Sequence, residues 1–422
     1  MKKFMRRIFL FTAFICSVFA INVKATELPP VYSEGAVLMD GRTGKVIYSK
    51  NEHTQYEPAS TTKVMTALVV LENTKLTDKV TINEKPTLVD GSAIGIAKGE
   101  VYTVEELMLG LLLESGNDCA EALAEHVSGS NEEFAKLMND KAKELGALDT
   151  TFKNPSGLHE DGHVTTAYDL ALIMRAAYQN EDLVRIAQTE SHKYVNHPFS
   201  DGSEKWATNR NQLFNEYTPY YYQYAYIGKN GYTPEANHTY TATAMKDEQF
   251  LVVALLNATD KDNFYTNIGP LFDYGFDNFE TIKLINKNDV LDTYKINDDI
   301  SIPLLAKDDL YYTKSKTEGI PSYTVDYQKK DISKKNINKG DVLFKAKINA
   351  NKETISALDL VSGANREYNS QIKIKEKFST LVTTPKFIVI AVVVIIILVI
   401  LIKYLILSMR RKNIRRRRPR FK

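Results

Sequence analysis

From Phe387 the chain runs FIVIAVVVIIILVILIKYLILSM, and RRKNIRRRRPRFK follows. Apart from Lys403, Phe387 to Leu407 is apolar. At the rise of an α-helix that stretch is roughly 31 Å long, enough to cross a bilayer core. Inside lipid every backbone polar group must be satisfied within the segment, so the run is read as a single transmembrane helix. The basic tail, 408–422, then marks the cytoplasmic side, and everything before Phe387 is expected outside the cell membrane. A nucleic-acid reading of the tail is the weaker one, because the tail abuts a span.

The N-terminus fits the same topology. Lys2, Lys3, Arg6 and Arg7 precede an apolar run from Ile8 to Val23. VKA then offers a cleavage site, so residues 1–25 read as a signal peptide. An uncleaved anchor is the alternative. The two ends carry five and ten of the 54 Lys and Arg, counted over 1–25 and 403–422. Removing them leaves 39 basic residues against all 52 acidic ones, a net of −13. An acidic exported portion argues against a polyanion partner, so no nucleic acid is expected. It holds one cysteine, Cys119, and therefore no intrachain disulfide.

Between the ends, residues 26–279 read as mixed α/β. GAVLMDGRTGKVIYSKN is a strand hairpin turning at Asp40–Gly44. Helical patterns follow from about Thr61, on either side of a break at Ser115–Gly116, over NEEFAKLMNDKAKELGA with Asn131 as its cap, and over TTAYDLALIMRAAYQN. HTYTATAMKDEQFLVVALLNA is a second hairpin, turning at Lys246–Glu248. Strands at both ends with helices between them predict one antiparallel sheet with a helical insertion. Residues 280–364 are short β-like runs and read as a small all-β domain. Residues 365–386 read as a linker to the span.

Three short patterns carry chemistry. In EPASTTKVMTALVVLE, Ser60 and Lys63 stand one helical turn apart. Ser60 is either a helix cap or a nucleophile whose base is the deprotonated Lys63 amine. Ser115-Gly116-Asn117 lies between two apolar helical runs, as a plain turn or as a loop aimed into a cleft. Lys229-Asn230-Gly231 precedes a strand, as a hairpin turn or as a carboxylate-binding edge. HEDGH, from His159 to His163, matches the H-E-x-x-H zinc pattern. That motif needs a helix, whereas Pro155, Gly157 and Gly162 make this a loop, so no metal and no cofactor are expected.

Taken together, S-x-x-K, S-x-N and the third motif form the signature of penicillin-binding proteins and serine β-lactamases. The chain resembles the D-alanyl-D-alanine carboxypeptidases, the low-molecular-mass penicillin-binding proteins of serine peptidase family S11. GAVLMDGRTGKVIYSKN, EPASTTKVMTAL, LLLESGNDCAEALAEH, NPSGLHEDGHVTTAYDLALIMRAA, GKNGYTPEA and LFDYGF all look like blocks of that family. They span about Val31 to Phe279.

The resemblance implies a penicillin-binding/serine β-lactamase-like α+β domain followed by the β-rich domain. It also implies removal of the terminal D-alanine from peptidoglycan stem peptides, with β-lactams as covalent inhibitors. By resemblance Ser60 attacks the D-Ala-D-Ala carbonyl and Lys63 takes its proton. Ser115 relays a proton to the leaving group, and Asn117 bonds the substrate amide. Lys229 pairs with the terminal carboxylate. The N–H groups of Ser60 and Tyr232 form the oxyanion hole, with Asn230 and Gly231 lining the site. The family usually has Thr where this chain has Asn230. A carboxamide also donates to a carboxylate. The alternative is a catalytically impaired wall-binding scaffold on the same fold, with Asn230 marking the loss. A β-lactamase would need a deacylation residue that the sequence does not display.

Overall fold

A computed structural model describes residues 26–368 and 385–416. The signal peptide lies outside the described residues, as do most of the linker and the end of the basic tail. The described chain divides into two compact units. The first runs to Leu284 and also takes in Leu310–Pro321.

The first unit is built on a five-stranded antiparallel sheet. Its order is Val46–Lys50, Gly35–Asp40, Gln249–Ala258, Asn237–Lys246, Ala225–Thr233. The N-terminal strand therefore pairs with a strand more than two hundred residues later, with Gly35 opposite Leu256 and Asp40 opposite Leu251. The two expected hairpins and the helical insertion are as the sequence predicts. Lys229-Asn230-Gly231 is not a hairpin turn. It lies within the edge strand, with Gly231 opposite Thr239, because apolar alternation through Ile227 continues the pairing.

Alternation explains the layers. Val37, Met39, Val252, Ala254 and Leu256 face one core, shared with the inserted helices. Leu38, Leu251, Val253 and Leu255 face the other, shared with Phe264, Ile268, Leu271, Phe272 and Phe276 of the closing helical segment. A strand buried on both faces needs a continuous apolar run, which FLVVALLNA supplies.

A helix of the insertion, Val104–Leu113, is apolar and buried from Leu107 onward, with Glu105 and Glu106 in its first turn. Thr103 and Glu106 cap it reciprocally. The next helices are Asn117–Ser128, Asn131–Glu144 and Ala167–Tyr178. Ser130, not Asn131, caps the second of these. Its hydroxyl takes the Glu133 N–H, one position earlier than the sequence suggests.

The second unit contains a five-stranded antiparallel sheet, ordered 290–295, 301–306, 353–362, 342–350, 323–327. Alternate residues such as Ile302, Leu304, Phe344, Ala346, Ile348 and Leu360 form its core. The Phe279–Ile285 strand pairs instead with Leu310–Ser315 as a separate ribbon. The Pro385–Arg416 helix includes Val389–Met409, 21 residues of mean hydropathy 3.4, with none of the residues in its most apolar window buried.

Phe272 is fully buried against the sheet. Phe272→Ala should lower stability by about 3–5 kcal/mol, read as a shifted denaturant midpoint at unchanged slope.

Candidate active site

Ser60 lies in a single 3₁₀ turn, Ala59–Thr62, that leads into the Lys63–Asn73 helix. The turn is held from outside. The Pro58 carbonyl accepts the Thr61 and Thr239 hydroxyls, at 2.6 and 2.8 Å. Ala59 is in the left-handed region, at φ 47°. Two glycines allow the close approach: a Cβ on Gly157 would lie 1.9 Å from the Ala59 carbonyl oxygen, and one on Gly231 would lie 2.7 Å from Ser60 N.

Ser60 does not cap the helix. Neither end residue of these turns makes a side-chain cap bond, and the partner of Ser60 Oγ is the Lys63 amine, 2.9 Å away. The 3₁₀ turn, tighter than an α-turn, aims the hydroxyl at that amine and not at backbone N–H groups.

Lys63 is fully buried. Its Nζ also lies 2.7 Å from Asn117 Oδ1 and 2.6 Å from the Ser156 carbonyl. Desolvation, then the charge of Lys229, holds its pKa well below the usual lysine range. Burial and the neighbouring cation thus both favour the neutral amine over the charged one. A neutral amine has two hydrogens and one lone pair. The two carbonyl-type oxygens can only accept, so they take both hydrogens. In that neutral form the lone pair is left for the one partner that carries a proton, the Ser60 hydroxyl; in the charged form Nζ donates to Ser60 Oγ instead. The amide orientation of Asn117 is fixed independently, because its Nδ2 donates to the Asp90 carbonyl at 2.7 Å.

The second motif sits where two helices break. Ser115 is 8% exposed at φ 62°, and Gly116 and Asn117 open the next helix. Asp118, which sequence reasoning missed, locks this corner. Its carboxylate accepts the N–H groups of Ile94, Gly95, Ile96 and Cys119, and Asn117 N–H donates to the Ser92 carbonyl. An aspartate beside the loop motif is visible in sequence, but three of its four partners lie more than twenty residues upstream, so its role is not.

Lys229 is 2% exposed, and burial lowers its pKa to about 7. Its Nζ donates to the Asn230 carbonyl at 2.8 Å. Gly231 is buried beside Ser60, and Tyr232 is 58% exposed. The Asn230 carboxamide has no hydrogen-bond partner among the described residues and is half-buried. All three motifs thus converge on Ser60.

HEDGH is a turn, and its histidines part company. His163 is buried; its Nδ1 accepts the Lys153 N–H, so Nε2 carries the proton toward Thr62 Oγ1 at 2.9 Å. His159 is exposed and pairs with Glu57. The sequence missed His163 as a brace of the nucleophile turn.

The site thus sets a serine hydroxyl against a buried lysine amine of lowered pKa. Residues 22–260 match the D-alanyl-D-alanine carboxypeptidase family profile of peptidase family S11, and residues 279–368 match the penicillin-binding protein 5 C-terminal domain. The chain belongs to that carboxypeptidase family and is a serine-type carboxypeptidase.

Among curated proteins, the carboxypeptidase DacF of Bacillus subtilis is 33% identical over 319 residues, 74% of this chain and 80% of that protein. DacB2 of Mycobacterium tuberculosis is 33% identical over 257 residues, 60% of this chain and 85% of that protein. A solved D-alanyl-D-alanine carboxypeptidase of M. tuberculosis aligns with TM-score 0.55 at 31% identity, over 60% of this chain and 94% of its own. Penicillin-binding protein 5 of Haemophilus influenzae aligns with TM-score 0.68 over 80% of this chain and 98% of its own; at 24% identity it speaks for the fold alone.

His163 yields a pH prediction. Burial lowers its pKa from 6.5 to about 4, so the unfolded chain binds its proton first. Its contribution is full above pH 6.5 and is lost as pH falls toward 4, by up to about 3 kcal/mol. Denaturant titrations across that range should show the loss, and His163→Gln should flatten it.

Proposed function

We propose that Ser60 is the acylated nucleophile of a D,D-carboxypeptidase that removes the terminal D-alanine from peptidoglycan pentapeptide stems. The observation that carries this reading is the buried Lys63 amine, 2.9 Å from Ser60 Oγ, with its pKa held well below the usual lysine range. Ser60 Oγ bonds to the carbonyl carbon as its proton passes to Lys63 Nζ. The oxyanion is met by the N–H groups of Ser60 and Tyr232, two sites that the close approach of Gly231 brings together. The carbon–nitrogen bond breaks as a proton reaches the leaving amine through Ser115. Water then cleaves the ester and restores Ser60. Asn117 orients the peptide amide. Lys229, when cationic, receives the terminal carboxylate, with Asn230 as a second donor. Penicillin enters as a substrate mimic whose acyl-enzyme persists.

The apolar Val389–Met409 helix and the arginines after it support a single-pass anchor with the catalytic unit outside the cell membrane. Such an anchor keeps the site beside the wall and its stem peptides.

Intact-mass spectra of the detergent-solubilised chain with penicillin should show one penicilloyl adduct, absent in Ser60→Ala. An adduct retained in that variant excludes Ser60 as nucleophile. Lys63→Met should slow acylation by roughly three orders of magnitude. The second-order acylation constant should fall as pH rises through about 7, where free Lys229 loses its charge.

Asn230→Thr should leave that constant unchanged or raise it, since either side chain donates to a carboxylate. A large loss would mean that the site depends on the carboxamide.

A further inference from the structure

Beside the serine cleft, three segments each present one ligand-type side chain to a common point. Glu57 stands three residues before Ser60. His159 follows Gly157, the residue packed on Ala59. Glu235 lies in the turn between the Lys229–Gly231 strand and its neighbour. One ligand atom from each lies within 4.8 Å of the others. His159 Nδ1 faces both Glu57 oxygens, at 2.9 and 3.1 Å.

We propose that Glu57, His159 and Glu235 form a divalent transition-metal site of the zinc class on the rim of the cleft. The chemistry of the set fits: one imidazole nitrogen and two carboxylates are borderline and hard donors suited to zinc. In a tetrahedral site with metal–ligand bonds of about 2.0–2.2 Å, donors stand about 3.4 Å apart. The Glu57–His159 pair needs to open by only a few tenths of an ångström.

Charge points the same way. Two carboxylates face one imidazole, and among the described residues no lysine or arginine forms an ion pair with Glu57 or Glu235. A dication balances what a single imidazolium cannot. Three protein ligands leave a fourth position for solvent.

The site is not the H-E-x-x-H zinc motif. His163 is committed to Thr62, and Glu160 is not among the three ligands. Nor is it catalytic, because none of its members touches Ser60 or Lys63 among the described residues. Its consequence is mechanical. A bound ion joins the nucleophile turn, the loop that supplies the Ser156 carbonyl to Lys63, and the end of the carboxylate-binding strand.

The test uses the full-length chain without an affinity tag, in detergent micelles. Isothermal titration with ZnCl2 should show one ion bound per chain, and Co2+ should give the visible absorption of a four-coordinate N/O site. Bound zinc should raise the thermal midpoint, as any ligand of the native state does. His159→Gln and Glu235→Gln should each weaken zinc by roughly ten- to a hundredfold, while His126→Gln, a histidine away from the site, should not.

The metal-free unfolding curves of the two ligand variants should match the parent, which separates lost ligation from lost folding. Zinc affinity undiminished in both ligand variants, or no stoichiometric zinc binding by the parent, overturns the proposal. Penicillin acylation is read separately, so failure here leaves the assignment of Ser60 standing.

Discussion

The buried amine of Lys63, its pKa held well below the usual lysine range by desolvation, is the constraint around which the site is arranged. A lysine without water is stable only if it sheds its charge and satisfies its remaining hydrogens. Both hydrogens are taken by oxygens from distant segments, Asn117 at a helix start and Ser156 in a loop. Each of those acceptors needs its own support. Asn117 is held by the Asp90 and Ser92 carbonyls, and its neighbour Asp118 gathers the N–H groups of 94–96. The Ser156 loop is pinned by Gly157 on the nucleophile turn and by His163 on Thr62. Removing any one support would return water or a proton to the amine.

The sheet makes this arrangement reproducible. Its edge strand carries Lys229 and Gly231 on its buried side, and its register with the next strand sets Thr239 to reach the Pro58 carbonyl. This strand pair therefore places Lys229 in the site and braces the Ser60 turn. Burial on both faces fixes that register, since a one-residue slip would exchange two apolar cores. Lys229 sits close enough to depress Lys63 yet titrates near 7 itself. Two buried lysines of lowered pKa thus stand in one site, and in the proposed mechanism one acts as the base and the other as the charge.

Much of this was legible before any coordinates. The hairpins at 35–50 and 237–258 follow from strict alternation. The helical insertion follows from its apolar periods, and the motif residues follow from a resemblance carried by many blocks. Local signals misled where tertiary contacts won. Asn-Gly at 230–231 reads as a turn, yet edge pairing keeps it extended. Ser60 reads as a cap, yet the neighbouring amine takes its hydroxyl. Asn131 reads as a cap, but Ser130 is placed one residue better. The braces Asp118 and His163 were not legible, because their partners lie far along the chain.

Composition, charge and pattern are properties of the chain taken in order. By themselves they set the expectation of an exported acidic domain and showed an apolar stretch long enough to span a membrane with a basic flank, together with the main hairpins and helices of the first unit; the motif serine and lysines were singled out through the family resemblance. The protonation state of Lys63, the accepting role of Ser156, the placing of Gly231 against Ser60 N, and the meeting of Glu57, His159 and Glu235 were decided only by the tertiary structure. Each depends on desolvation or on distances between groups tens to hundreds of residues apart, and a linear sequence encodes neither until the sheet closes and expels water.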